Sequence, residues 1–315
     1  MEWVEWTTQL CPSNQDPSPM LAERHRELMS EVKSIAVIGA GTMGSGITMT
    51  AAIGGLEAWQ IDISQEQLDR ARGYHQKNLA RNVAKERMTQ EEADAAAARI
   101  HYVTSMGEAS SADWAVEAAT ENVELKKRIF SEMVSTFGED VVLASNTSSI
   151  SITEIASSVG DAAERVIGMH FFNPVPVMKL VEVINGLATS ARTTERTMAL
   201  AESMGKTPIA ANDRAGFVSN RVLMPMINEA FQAWMEGVAE PEAIDGIMKL
   251  GCNFPMGPLR LADFIGLDVC HHIMMVLYDE LGDQKYFPCP KLRQLVTAGR
   301  LGNKSGRGVY DYSSD

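Results

Sequence analysis

The sequence predicts an α/β chain whose N-terminal part alternates strands and helices and whose C-terminal part is all helix. Three observations carry this. A short apolar run, Ile35-Ala36-Val37-Ile38, leads into Gly39-Ala40-Gly41-Thr42-Met43-Gly44 and then into a helix-like stretch. Short apolar runs continue to alternate with polar, helix-forming stretches as far as residue 212. After Asp213 the apolar residues recur at helical spacing and no strand-like run returns.

Residues 1–32 form an N-terminal extension in which Pro12, Asn14, Asp16, Pro17 and Pro19 read as loop and Leu21 to Val32 as a short amphipathic helix. The glycine run that follows the first strand is the informative feature. GxGxxG alone is weak, but here it follows a strand, opens a helix from about Ser45 to Gly54, and is followed by a second strand, Glu57 to Ile61, ending at Asp62. That is the context of a dinucleotide site, with the acidic residue about 20 positions on. Gly39 permits the tight turn, Gly41 lets the backbone approach a pyrophosphate, and Gly44 lets helix and strand pack closely. Free N–H groups of the helix start hold the phosphates. Asp62 accepts hydrogen bonds from a ribose and repels a 2′-phosphate, which predicts NAD rather than NADP. Residues 33–212 are therefore expected to form an NAD-binding domain of Rossmann type. Trp59 and Gln60 are unusual occupants of its second strand.

A long polar helical region is expected from Gln65 to Arg99, with Lys77, Arg81 and Lys85 on one face. Such a stripe is either a phosphate contact or a solvated face. Asp113 to Ala119 and Val141 to Ala144 read as strands. The second runs into Ser145-Asn146-Thr147-Ser148-Ser149, hydroxyl and amide groups at a strand end, which suit both a ligand site and a helix N-cap near Ile152. Then comes His170-Phe171-Phe172-Asn173-Pro174-Val175-Pro176-Val177-Met178-Lys179-Leu180-Val181-Glu182, two buried strands across a proline-stiffened connection. A histidine and a carboxylate brought together in an apolar site make a general base with its orienting partner; on this stretch alone, a satisfied core histidine and a glutamate reaching solvent is the reading that stands ahead. A helix from Thr193 to Met204 and a strand from Thr207 to Ala211 close this part. Residues 213–315 are expected as an all-helical C-terminal domain, with helices Val218–Trp234, Pro241–Leu250, Pro258–Leu277 and Lys291–Ala298. Asn220 lies beside the junction, and clefts between domains favour ligands.

The 315 residues are 45% apolar, enough for roughly two domains. A net charge of −13 argues against a general nucleic-acid or membrane-surface footprint. No stretch is long and apolar enough to span a bilayer, and Glu2 and Glu5 oppose a secretory signal. Cys11, Cys252, Cys270 and Cys289 show no zinc spacing and read as reduced thiols of a cytoplasmic protein. No metal is expected: His271 and His272 are adjacent on a helix, with no carboxylate cluster.

The ordered set IGAGTMG, EAATEN, ASNTSS, HFFNPVPVMKLVEV, AGFVSNR, PMGPLRLADFIGLD and GNKSGRGVYDY closely resembles the L-3-hydroxyacyl-CoA dehydrogenase family, from about Ser34 to Tyr312. The resemblance implies reversible, NAD-dependent oxidation of an L-3-hydroxyacyl-CoA to the 3-ketoacyl-CoA, chemistry of fatty-acid β-oxidation, by a homodimer joined through its helical domain. It implies His170 as the base, Glu182 as its partner, and Ser149 and Asn220 at the substrate. The residues Gly39, Ala40, Gly41, Thr42, Met43, Gly44 and Asp62 match the NAD site; Glu121, Lys126, Asn173 and Lys304 match further cofactor contacts, and Lys85 falls near the CoA phosphates. Two departures stand out: Ala215 where the family commonly has proline, and Asn78 where a serine is frequent. Two other readings compete: a silent, crystallin-like NAD-binding relative, and a dehydrogenase for a non-CoA hydroxy acid. The intact His170, Glu182, Ser149 and Asn220 oppose the first; HFFNPVP with SNTSS opposes the second.

Overall fold

In the computed structural model, which describes residues 32–313, the chain builds one eight-stranded sheet and a layer of helices after it. The strands are β1 (Ser34–Ile38), β2 (Glu57–Ile61), β3 (Ile100–Val103), β4 (Trp114–Glu117), β5 (Val142–Ser145), β6 (Val166–Phe171), β7 (Leu180–Asn185) and β8 (Thr207–Asn212). Their order is β3-β2-β1-β4-β5-β6-β7-β8. The first six run parallel, and β7 reverses against β6. The order turns back at β1 and β4, and open sheets of this kind bind ligands where it does. β1 and β4 are buried at every residue, as expected of strands covered on both faces by helices.

The helices of this part are α1 (Thr42–Ile53), α2 (Gln65–Ala84), α3 (Gln90–Ala98), α4 (Val123–Thr136), α5 (Ile152–Ala156) and α6 (Ala191–Ser203). The region expected as one helix from Gln65 to Arg99 is two. Glu86 takes a positive φ of 55°, and Thr89 opens α3 with a capping box to Glu92. Lys85 is thus the C-cap of α2, not an interior residue. β3 was not expected; it is an edge strand with only Ile100 buried. Gln60 has a local reason: its amide donates to the Gly39 carbonyl at 2.9 Å, bracing the glycine turn from beneath.

The second part contains α7 (Ser219–Met235), α8 (Pro241–Gly251), α9 (Pro258–Ile265), α10 (Leu267–Leu281) and α11 (Pro290–Thr297). The helix expected over Pro258–Leu277 breaks at Gly266, whose φ of 106° no helix accommodates, and the two pieces meet at 97°. Met224, Phe231, Leu259, Met274 and Leu292 form their common core. Two buried carboxylates fasten the C-terminal segment to it. Asp263 accepts from the N–H groups of Val309 and Tyr310 at 2.9 Å each, and Asp245 accepts the Tyr310 hydroxyl at 2.7 Å. The N-terminal extension lies outside the described residues, apart from its last residue, Val32.

Candidate active site

The glycine turn has the shape that a dinucleotide needs. Gly39 sits at φ 107°, and a Cβ there would lie 2.6 Å from the Ala118 carbonyl oxygen. A Cβ on Gly44 would fall 1.8 Å from the Gly39 oxygen, so α1 packs on the turn only without one. At Gly41 a Cβ would meet nothing within 4 Å: the backbone borders open space, and the start of α1 has no side-chain cap. Thr42 and Met43 begin that helix, leaving its first N–H groups for an anion. Asp62 is fixed from two sides, accepting from the Ala40 N–H and the Ser64 N–H, each at 2.9 Å. These residues fit the pyrophosphate and adenosine ribose of NAD.

Next to this turn lies a buried polar chain. The Lys126 ammonium, buried, donates to Glu117 at 2.6 Å and reaches Glu121 at 3.3 Å. Glu117 also accepts the Ser145 hydroxyl at 2.6 Å. Glu121 gathers the Thr147 hydroxyl at 2.6 Å, the Ser148 N–H at 3.0 Å, and the Ser149 N–H and hydroxyl at 3.2 Å. Burial alone would raise the Glu121 pKa; the Lys126 charge and these donors outweigh it and hold the carboxyl below its ordinary range. The strand-end hydroxyls after β5 are thus ordered by a carboxylate from the end of β4.

The helical layer joins this chain through adjacent residues. The Asn220 amide donates to the Ser148 carbonyl at 3.1 Å. Its neighbour Ser219 donates its N–H to Glu182 Oε1 at 2.9 Å and its hydroxyl to Oε2 at 2.8 Å. Glu182 pairs directly with His170 across β6 and β7, and His170 Nδ1 lies 2.7 Å from Oε2. Because a carboxylate only accepts, Nδ1 carries a proton, and in the neutral ring Nε2 is then the free acceptor. Burial would raise the Glu182 pKa, but the hydrogen bonds from His170 and from Ser219 outweigh it and hold Glu182 ionised below the usual range. The rings of Phe172 and Phe217 flank the imidazole at 4.6 and 5.8 Å. The arrangement ties β6, β7, the residues after β5 and the start of α7 into one polar network beside the imidazole.

Not every expected residue joins the chain. Asn173 is exposed at the head of the β6–β7 connection. Lys304 sits in the helical layer, donating to Asp268 at 2.7 Å beside Gly266. Lys77, Arg81 and Lys85 form an exposed stripe with no ion pair among the described residues. Asn78 turns back on its own helix, donating to the Tyr74 carbonyl at 2.8 Å. Sequence reasoning missed Glu117, Ser219 and Lys206. The Lys206 ammonium, buried, donates to the Val175 carbonyl and to the Met178 carbonyl at 2.9 Å, pinning the connection that carries Asn173. A lysine directly before a predicted strand gave no local signal of that role.

Comparison with known proteins bears on this geometry. Residues 34–214 match the model of the 3-hydroxyacyl-CoA dehydrogenase NAD-binding domain, and residues 216–312 that of the C-terminal domain. A probable 3-hydroxybutyryl-CoA dehydrogenase of Bacillus subtilis (strain 168) is 55% identical over 282 residues, 90% of this chain and 98% of that protein. The 3-hydroxyadipyl-CoA dehydrogenase of Escherichia coli (strain K12) is 42% identical over 289 residues, 91% of this chain and 61% of that protein. The crystal structure of (S)-3-hydroxybutyryl-CoA dehydrogenase from Ralstonia eutropha superposes with a TM-score of 0.86 at 49% identity, covering 89% of this chain and 99% of the other.

Proposed function

The chain belongs to the 3-hydroxyacyl-CoA dehydrogenase family, and from that premise we propose that His170 and Glu182 carry its reaction, with Ser149 and Asn220 holding the substrate. The protein is an NAD-dependent oxidoreductase that interconverts 3-hydroxyacyl-CoA and 3-ketoacyl-CoA. The observation that carries the residue roles is the His170 Nδ1–Glu182 Oε2 contact at 2.7 Å, which makes Nε2 the free acceptor of the neutral ring in an apolar setting.

Held along the turn from Gly39 to Gly44, NAD would supply the acceptor for the hydride from C3 of the substrate. Nε2 of His170 takes the 3-hydroxyl proton as that hydride leaves. Glu182 keeps the ring in the productive tautomer and stabilises the imidazolium, as a triad carboxylate does for its histidine. In the reverse direction the imidazolium returns the proton to the ketone oxygen. Ser149 and Asn220 donate to substrate oxygens and orient C3. Phe172 and Phe217 keep water from the imidazole.

Asp62 takes the adenosine ribose and the turn from Gly39 to Gly44 the pyrophosphate, while Glu121, Lys126, Asn173 and Lys304 complete the cofactor side. Lys85, with Lys77 and Arg81, takes the CoA phosphates, a role supported by the exposure of the stripe on an acidic protein. Chain length and handedness follow the relatives: an L-3-hydroxyacyl-CoA of short chain is the preferred substrate, in β-oxidation-type metabolism. Exposed Val222 (68%) and Phe264 (50%) in the helical layer support a homodimer formed there. The thiols of Cys252, Cys270 and Cys289, unpaired, support a cytoplasmic setting.

The test compares NADH formation from (S)-3-hydroxybutyryl-CoA with that from free 3-hydroxybutyrate. Turnover of the thioester alone supports the proposal. Turnover of the free acid in preference, or of neither, overturns it.

A further inference from the structure

We propose that the Ser219 hydroxyl is a positioning group that sets the pH at which His170 becomes an active base, by sharing the Glu182 oxygen that His170 uses. The proposal rests on the reading of His170 as base.

Two donors meet on Glu182 Oε2: His170 Nδ1 at 2.7 Å and Ser219 Oγ at 2.8 Å. The Ser219 N–H takes the other oxygen at 2.9 Å. A carboxylate oxygen that already accepts a hydroxyl proton is less basic, and so stabilises a neighbouring imidazolium less. The hydroxyl therefore keeps His170 neutral to lower pH than Glu182 alone would. Its geometry is built, not incidental. Ser219 opens α7, yet its hydroxyl caps nothing, and the N-cap residue Val218 makes no side-chain cap either. The turn before it places Gly216 at φ 71° and Phe217 at φ 50°, two successive left-handed residues. A bulky residue in that region is strained and persists only where packing fixes it. Here the Phe217 ring is buried beside the imidazole. One strained turn thus lays an aromatic ring on His170 and aims Ser219 at its partner.

The backbone N–H contact is open to any residue but proline at position 219, whereas the hydroxyl contact needs serine or threonine. A side-chain change therefore isolates it.

Most charges on the elements next to β6 and β7 are engaged elsewhere. Glu117 and Glu121 hold Lys126, and Glu154 on α5 holds Lys127. Arg192 on α6 pairs with Asp140, and its helix-mates Glu195, Arg196 and Glu202 also have partners. At the two ends of β8, Lys206 holds carbonyls and Asp213 accepts from Ser151 and Thr153. Arg214 donates to the Asp213 carbonyl. Arg221 and Glu229 are the remaining charges on α7. Among charges, that of His170 is the one that contributes to the lowered Glu182 pKa.

The experiment measures kcat/KM against pH with NAD and (S)-3-hydroxybutyryl-CoA for wild type, Ser219→Ala and Ser219→Thr. The acid limb should move to higher pH by about half a unit or more in Ser219→Ala. It should stay in place in Ser219→Thr, which keeps the hydroxyl. A Ser219→Ala limb that superimposes on wild type, or moves down, overturns the proposal. Should Ser219→Ala not fold, Ser219→Cys, with its weak donor, carries the same expectation. His170→Gln is measured alongside. Near wild-type turnover there overturns the reading of His170 as base. Loss of turnover there with an unmoved Ser219→Ala limb overturns the Ser219 role alone.

Discussion

His170 and Glu182 stand directly opposite each other in the antiparallel pairing of β6 and β7, so that the backbone register itself sets the imidazole against the carboxylate. Side chains on a strand alternate faces, and a one-residue slip would turn Glu182 to the other side of the sheet. Both strands are parallel-sheet neighbours at their outer edges, β5 beside β6 and β8 beside β7, which holds that register from both sides. The reversal of direction at β6 and β7 is thus what makes the dyad.

His170→Gln keeps the shape of the site but removes the proposed base. General base catalysis is worth about 10²–10⁴-fold, so turnover should fall at least ~10²-fold. NAD binding, measured by calorimetric titration, should persist, because His170 lies outside the glycine turn. Turnover close to wild type would refute the assignment. Glu182→Gln should also lose turnover, since the neutral amide cannot stabilise the imidazolium.

Asp62 is held ready by the Ala40 and Ser64 N–H groups. Hydrogen bonds to a charged group contribute about 1.5–3 kcal/mol, so Asp62→Ala should cost roughly 10-fold or more in kcat/KM with NAD. With NADP the cost should be smaller, because the charge that repels a 2′-phosphate is gone. Steady-state kinetics with both cofactors check this. An unchanged NAD-to-NADP ratio would show that Asp62 does not select the ribose.

How much of this was legible depends on how local each cause is. The β1 turn could be read because its glycines, its helix start and Asp62 lie within one short stretch, and buried β1 and β4 show as apolar runs. β3 could not, because an edge strand with one buried residue looks like polar loop. The break at Glu86 was missed although Thr89 and Glu92 spell a capping box, since good helix formers lie on both sides. Gly266 was likewise visible in the sequence, but helical spacing continues across it. Ser219 is different in kind: its partner Glu182 lies 37 residues earlier, and only the packing of α7 on the sheet brings them together. Lys206 has the same character, a charge whose partners are carbonyls and so leave no trace in residue types.

Lys206 predicts a separable effect on cofactor binding. Its ammonium holds the Val175 and Met178 carbonyls inside the connection that begins at Asn173, and burial lowers its pKa. Lys206→Met fills similar space but leaves two acceptors without a donor, a loss of about 1–3 kcal/mol each where no water replaces it. For a chain of this size, that corresponds to a fall in Tm of roughly 2–10 °C. KM for NAD should rise several-fold while kcat falls less, because the connection is displaced and His170 is not. An unchanged KM for NAD together with an unchanged Tm would show the contact to be without consequence.

His75 predicts how stability responds to acid. Its Nε2 lies 2.8 Å from the Ser45 carbonyl and must donate to it, so Nδ1 accepts the Tyr102 hydroxyl, also at 2.8 Å. The ring is buried and neutral, tying α2 to α1 and β3, and burial pushes its pKa down to about 4. The unfolded value is near 6.5, so between these limits the unfolded chain binds the extra proton. The stabilisation is complete above about pH 6.5 and is lost as pH falls toward about 4, amounting to about 2–3 kcal/mol. Urea unfolding of wild type should weaken across that window. In His75→Gln the stability at pH 7 should be lower, because the shape of the site is lost, but its decline from pH 7 to pH 4.5 should be shallower by about 2 kcal/mol. Parallel declines in the two proteins would show that His75 is not the group that acid attacks.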